Sequence, residues 1–315
     1  MSWGNPLSLV KPDNCMRLIL QNPYGLDAPN NFRKLDFIAR SASTYNASVV
    51  CLPETNVDWK KHSALKACHT ILRKHFKHHR LITSCSSATA NNFYLPGGTA
   101  CLVTNEWTGR ITEAGPDPSG LGRWSFVRVK GKNNSRILIV TIYQVCKSTI
   151  TAAGDSTAFS QQWHLIRSKG EENPNPRAQF TSDLSQFLSK YPHDPIILAV
   201  DINSWLRNPV DDRNFSNLVS RFNLKDTLIR KHGPTSEIPT RKEGRRIDYV
   251  FTSEVILDQV SKCGALHYDG MVDSDHRAIN LDIDVDELLG GNPRCYPPLH
   301  FMASRVRKAK TAKST

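Results

Sequence analysis

Short apolar runs recur along the chain, and several end abruptly in a polar residue. RLIL from Arg17 leads to Gln21 and Asn22, ASVVCLP from Ala47 to Glu54, RILIVTI from Arg136 to Tyr143, and PIILAV from Pro195 to Asp201; RIDYVF from Arg246 carries Asp248 near its start. Apolar runs of this length predict strands. GGTACLVTN from Gly97 predicts another strand entered by a glycine turn. RWSFVRVKG followed by NSRILIVTIY predicts a hairpin turning at Gly131 to Asn134.

Helical spacing fills the gaps. Asn31 to Tyr45 places Phe32, Leu35, Phe37 and Ile38 on one face, and Ser63 to His79 does the same with Leu65, Cys68, Leu72 and Phe76. Asp155 is positioned to cap a helix running through Lys169 with Phe159, Trp163 and Ile166 on one side. NPNPR (Asn173 to Arg177) then breaks it before a helix carrying Phe180, Leu184 and Phe187. Thr151 to Arg177 therefore reads either as a surface insertion or as a lid or DNA-contacting element beside Tyr143. The order of elements predicts one α/β domain from residue 1 to 286, with two sheets packed face to face and helices outside.

Composition narrows the partner. Lys and Arg total 41 against 29 Asp and Glu, a net charge of +12, so the chain should be drawn to a polyanion. Five basic and no acidic residues lie between Ala303 and Thr315, inside a tail (287–315) expected to be disordered, yet most of the excess belongs to the body. His69 to Arg80 is a dense basic run that reads as a solvated helix face. Met1 to Asn14 lacks a signal-peptide pattern, and no stretch approaches the roughly 18 apolar residues of a membrane span. The eight cysteines show no zinc spacing and several lie in strand patterns, as reduced core thiols would. The expectation is an intracellular protein, in the nucleus, with no membrane association.

The polar strand ends match the needs of phosphodiester hydrolysis. A hard cation must draw charge off the phosphate, and carboxylate and amide oxygens suit magnesium. Glu54, helped by Asn22 and Asp275, fits that task. A water must be oriented and deprotonated, and Asp201 suits it. Asn203, two residues on, would share its face of an extended strand and donate to the phosphate. His276, in the run SDHRAI from Ser274, would act as an imidazolium, with Asp248 holding its tautomer and raising its pKa. Arg241, Lys242, Arg245 and Arg246, in the loop entering the Asp248 run, would contact phosphates.

At these residues, from about Arg17 to Ile283, the chain resembles the endonuclease/exonuclease/phosphatase superfamily. QNPYGL, LPETN, TIYQ, VDIN, RIDYV and SDHRAI arrive in that family's order. The resemblance implies a DNase I-like four-layer α/β sandwich. It implies a catalytic group of Asp201, Asn203, His276, Asp248 and Tyr143, and a cofactor Mg2+ for which Mn2+ can substitute. The chain departs from the pattern in carrying Val200 where a glycine is common. It also has Tyr24 where apurinic endonucleases carry an acid, and Gln144, Val145 and Cys146 where they carry Pro-Asn after the tyrosine. Thr151 to Arg177 resembles the insertion in endonuclease domains joined to reverse transcriptases.

The expected function is a monomeric, Mg-dependent DNA endonuclease of the non-LTR retrotransposon type, nicking one strand to leave a 3′-hydroxyl. A reverse transcriptase or its RNA template would be a partner in trans. An apurinic repair endonuclease is the nearest alternative. An inositol polyphosphate phosphatase and a catalytically dead nucleic-acid-binding module stand further off.

Overall fold

Every long apolar run becomes a strand in the computed structural model, which describes residues 2–90, 93–132, 134–207, 212–234, 237–242 and 244–290. The first sheet has seven strands in spatial order β1 (Trp3–Gly4), β12 (Val260–Ala265), β13 (Ile279–Asp284), β2 (Cys15–Leu20), β3 (Val49–Pro53), β5 (Thr99–Thr104) and β4 (His79–Ser84). The second has six: β10 (Lys225–Asp226), β11 (Asp248–Thr252), β9 (Ile196–Asp201), β8 (Arg136–Tyr143), β7 (Trp124–Lys130) and β6 (Ile111–Pro116). In each sheet one central pair is parallel, β2 with β3 and β8 with β9, and the other pairs are antiparallel.

Alternation of side chains across each strand explains the unbroken apolar runs. On β2, Leu18 and Leu20 face the other sheet, while Ile19 faces α1 (Arg33–Thr44) and α2 (His62–His75). On β9, Ile197 and Ala199 face inward, whereas Leu198 and Val200 meet Phe180, Leu184 and Phe215 of α4 (Pro176–Leu188) and α5 (Arg213–Arg221). The result is the expected four-layer sandwich. Fully burying each such side chain contributes roughly 1.5–3 kcal/mol, so both faces of both sheets stabilise the stack.

Several local expectations are revised. Phe37 lies 41% exposed under Arg33 and Arg40, because α1 turns only Leu35, Ile38, Ala39 and Ala42 inward. The second helix stops at His75, and the end of the basic run becomes edge strand β4. The helix α3 (Ala158–Ser168) is capped by Thr157, whose side chain accepts from the Ser160 N–H, and not by Asp155. Asn175 caps α4 through the Ala178 N–H, with Pro176 at the first helical position, as the NPNPR break predicts. Helices α6 (Thr227–His232), α7 (Glu254–Asp258) and α8 (Asp286–Leu289) close the central core with Leu228, Ile256, Leu288 and Leu289. Packing thus runs past residue 286, and Ala303 to Thr315 lies outside the described residues.

Candidate active site

Sheet register brings the polar strand ends to one rim. Tyr143 on β8 pairs with Asp201 on β9, and Asp201 pairs with Asp248 on β11, so three side chains of the second sheet stand in one row. From the first sheet come Asn22 after β2, Glu54 after β3, and Asp275 and His276 ahead of β13. Two hydrogen bonds join the halves: His276 Nδ1 to Asp248 Oδ2 at 2.7 Å, and Asn22 Nδ2 to Asp201 Oδ2 at 2.7 Å. Asn22 Nδ2 also donates to Glu54 Oε2 at 2.9 Å. Seven of the expected residues therefore meet at one rim.

Backbone turns, more than strand alternation, aim these groups. Glu54 and Asn203 adopt left-handed φ values of 51° and 50°, and Tyr24 has φ 50°. For residues with a Cβ this costs roughly 1–2 kcal/mol each, and hydrogen bonds offset it. The Gly25 N–H donates to the Glu54 carbonyl (2.9 Å), and the Tyr24 N–H to Asn22 Oδ1 (2.7 Å). Asn203 does not continue the β9 strand. Its N–H donates to Asp201 Oδ1 (3.0 Å), its Nδ2 to the Gln144 carbonyl (2.8 Å), and its Oδ1 accepts from Cys146 Sγ (3.2 Å). The turn brings Asn203 beside Asp201, and its side chain is spent largely on holding the loop after β8.

The electrostatics are lopsided. Burial would lower the His276 pKa, but Asp248 beside it, with Asp201 and Asp275, outweighs burial and carries it up to about 10. The imidazole is thus charged across the neutral range, with Nδ1 engaged by Asp248 and Nε2 facing Asn22 and Asp275 (3.9 Å to Oδ1). Burial raises Glu54, with partial relief from Asn22 and His276. Burial and then the Asp248 charge push Asp201 well above the usual carboxylate range. Burial also raises the Tyr143 hydroxyl. Tyr143 is positioned by packing: a Cβ on Gly97 (φ +80°) would come within 3.1 Å of its ring, and Val145, Ala158 and Phe159 enclose it. The Thr151 to Arg177 segment thus does lie against Tyr143.

A divalent ion is consistent with this donor set. Ligand atoms of Glu54, Asp201 and His276 lie within 4.8 Å of one another, and the buried Asp275 Oδ1 has no hydrogen-bond partner. A charged His276 is a poor ligand, which leaves oxygen donors of the kind a hard cation prefers. Glu54 and Asp275 are the residues that would hold the ion. Asn22 presents its amide nitrogen to the carboxylates, because its Oδ1 is tied to Tyr24.

The basic loop divides. Arg241, Lys242 and Arg245 are exposed beside the cleft, with Arg241 Nε 3.3 Å from Asp275 Oδ2. Arg246 is a correction to an exposed basic loop: it is 1% exposed, paired with Asp226 at 2.7 Å and stacked over Tyr249 at 4.5 Å, so it is buried and holds β10 against β11. Sequence reasoning missed Arg177, whose Nη1 donates to the Val145 carbonyl (2.6 Å) and whose Nη2 reaches Ser204 and Asp212 (both 2.5 Å). It braces the loops after β8 and β9. The one cue was a cation in the first turn of a helix, where the macrodipole disfavours it unless a tertiary partner holds it.

No family model and no curated protein sequence matches the chain. Solved structures do. The AP endonuclease LMAP from Leishmania major superposes with a TM-score of 0.61 at 17% identity, over 87% of this chain and 89% of that one. The chain has the endonuclease/exonuclease/phosphatase fold. The endonuclease domain of TRAS1, a telomere-specific non-LTR retrotransposon, gives 0.54 at 15% identity, covering 85% and 98%. The 3′ phosphatase NExo from Neisseria, bound to a product DNA hairpin, gives 0.57 at 15%, covering 85% and 99%. This shared fold fits the two-sheet rim on which the site is built.

Proposed function

We propose that the chain is a metal-dependent phosphodiesterase acting on nucleic acid, specifically a DNA endonuclease of the retrotransposon type that leaves a 3′-hydroxyl. The observation that carries the reading is the buried Asp248–His276 pair facing the Glu54, Asn22 and Asp201 cluster across the seam of the sheets. Asp201 takes the proton of the attacking water; its elevated pKa makes it a stronger base than an exposed aspartate. His276 Nε2–H stabilises charge developing on the phosphate, and Asp248 keeps the ring oriented and protonated. When bound, Mg2+, or Mn2+ in its place, supplies Lewis-acid polarisation of the phosphate.

The retrotransposon subtype rests on Tyr24 in place of an acid, on Gln144 to Cys146 after Tyr143, and on α3 packed against Tyr143. The test is nicking of supercoiled plasmid in Mg2+, beside single-turnover cleavage of matched intact and abasic duplexes. Wild type should nick the plasmid and stop nicking in EDTA. An abasic advantage of about 1,000-fold, roughly 4 kcal/mol of discrimination, would move the assignment to repair. Full activity in EDTA would remove the metal from the reading.

A further inference from the structure

Among the described residues four Phe, Tyr or Trp side chains are more than a third exposed: Tyr24 (61%), Tyr94 (46%), Phe37 (41%) and Phe93 (36%). Three of them surround Glu54 to Asp58. Tyr24 precedes Gly25, whose N–H donates to the Glu54 carbonyl, and Gly25 lies against Asn56. Tyr94 forms a bridge with Val57, and the Phe93 carbonyl accepts from the Asp58 N–H. Burial first, and then the charges of Glu54 and Tyr24, raise the Tyr94 hydroxyl above its usual range. Tyr143 also feels Tyr94.

These rings are held out deliberately. Tyr24 is held in a left-handed backbone conformation by the same Asn22 side chain that bridges Glu54 and Asp201, so its backbone is tied to the catalytic cluster. Strain around an exposed bulky residue at the lip of a cleft points to a ligand contact. Lysines accompany the rings: Lys61 Nζ sits 5.6 Å from the Phe93 centroid, and Lys34 Nζ donates to the Pro23 carbonyl at 2.7 Å. Exposed rings interleaved with cations beside a phosphate-cutting centre suit a nucleobase with its backbone, since every base offers a π-face.

We propose that Tyr24 and Tyr94 form a stacking shelf for an unpaired base next to the scissile phosphate, so that the preferred DNA substrate is locally single-stranded at the cut. The proposal rests on the nuclease reading for its position, and its stacking is testable without cleavage. Two oligonucleotides of one sequence would be compared, a continuous duplex and one with a short bubble at the cut, the bubble carrying 2-aminopurine, whose fluorescence falls on stacking. The proteins are wild type, Tyr24→Ala, Tyr94→Ala and the two Phe variants.

Wild type should cut the bubble about 10-fold or more faster than the duplex, the scale of one base–aromatic stack. Each Ala variant should lose most of that preference, its bubble rate falling more than its duplex rate, and each Phe variant should retain the preference. Binding in EDTA should quench 2-aminopurine with wild type and the Phe variants and leave it bright with the Ala variants. Equal rates on the two substrates, or quenching that survives both Ala variants, would overturn the shelf. If neither substrate is cut, the nuclease reading falls. Quenching that depends on the two rings would then still support the shelf, and quenching that ignores them would sink it.

Discussion

The floor of the cleft and its basic bank are built by different means. On the floor, Asn22, Asp201, Asp248 and His276 are buried, register-locked and tied to one another across both sheets. On the bank, Arg241, Lys242 and Arg245 are exposed on a loop, where the side chains of Arg241 and Lys242 reach Asp275 and Asp273 at the long distances of 3.3 and 3.5 Å. Buried charge at the floor is expensive to place and strongly interacting once placed. Exposed charge on the bank is screened, so it steers and positions a polyanion without defining the chemistry. Arg245 and Arg246 mark the border, since adjacent residues fall on opposite sides of it.

The largest test of this contrast is at the floor. Asp201→Ala and Glu54→Ala should each lower single-turnover cleavage by at least about 100-fold while the melting temperature shows a folded protein. A loss of only a few-fold in both would mean that the buried cluster is structural.

A second test asks whether the floor works through charge. His276 is held protonated up to about pH 10, above its ordinary range, so its charge-dependent contribution is fully present near pH 6 and is lost as pH rises through about 10. Asp248→Asn removes the charge that raises it. Turnover should fall by roughly 10- to 100-fold, and the alkaline limb of the pH profile should move to lower pH. An unmoved limb would assign Asp248 a purely packing role.

The smallest effects sharpen the border. Arg246→Ala leaves Asp226 without its buried partner and should destabilise the fold by about 3 kcal/mol in denaturant unfolding. Arg245→Ala should leave stability within about 0.5 kcal/mol. It should weaken DNA binding across sequences and reduce the salt slope by about 1. Reversed behaviour of the pair would erase the distinction between bank and floor.

The same border separates what was legible in the sequence from what was not. Strands buried on both faces leave long apolar runs, and a polar residue that ends such a run is conspicuous, which is why Glu54, Tyr143, Asp201 and Asp248 could be placed together from sequence. Edge strand β4 was hidden inside a basic run because its residues are only half-buried. The conformation of Asn203 and the burial of Arg246 depend on turns and on partners elsewhere in the chain, Gln144 and Asp226, which no local pattern announces. Arg177 left only a faint cue for the same reason: its partners Val145, Ser204 and Asp212 lie on loops elsewhere in the chain.

The placement of β13 has a consequence for synthesis on the ribosome. This strand lies between β12 and β2, late in the chain yet interior to the first sheet, and it follows directly on the segment that delivers His276. Until residue 284 has emerged, β2 lacks one neighbour and the imidazolium has nowhere to dock. A nascent chain that already carries Glu54, Asp201 and Asp248 would therefore have its acids without its cation. The strand that completes the neighbours of β2 is thus also the one that carries His276 to the acids.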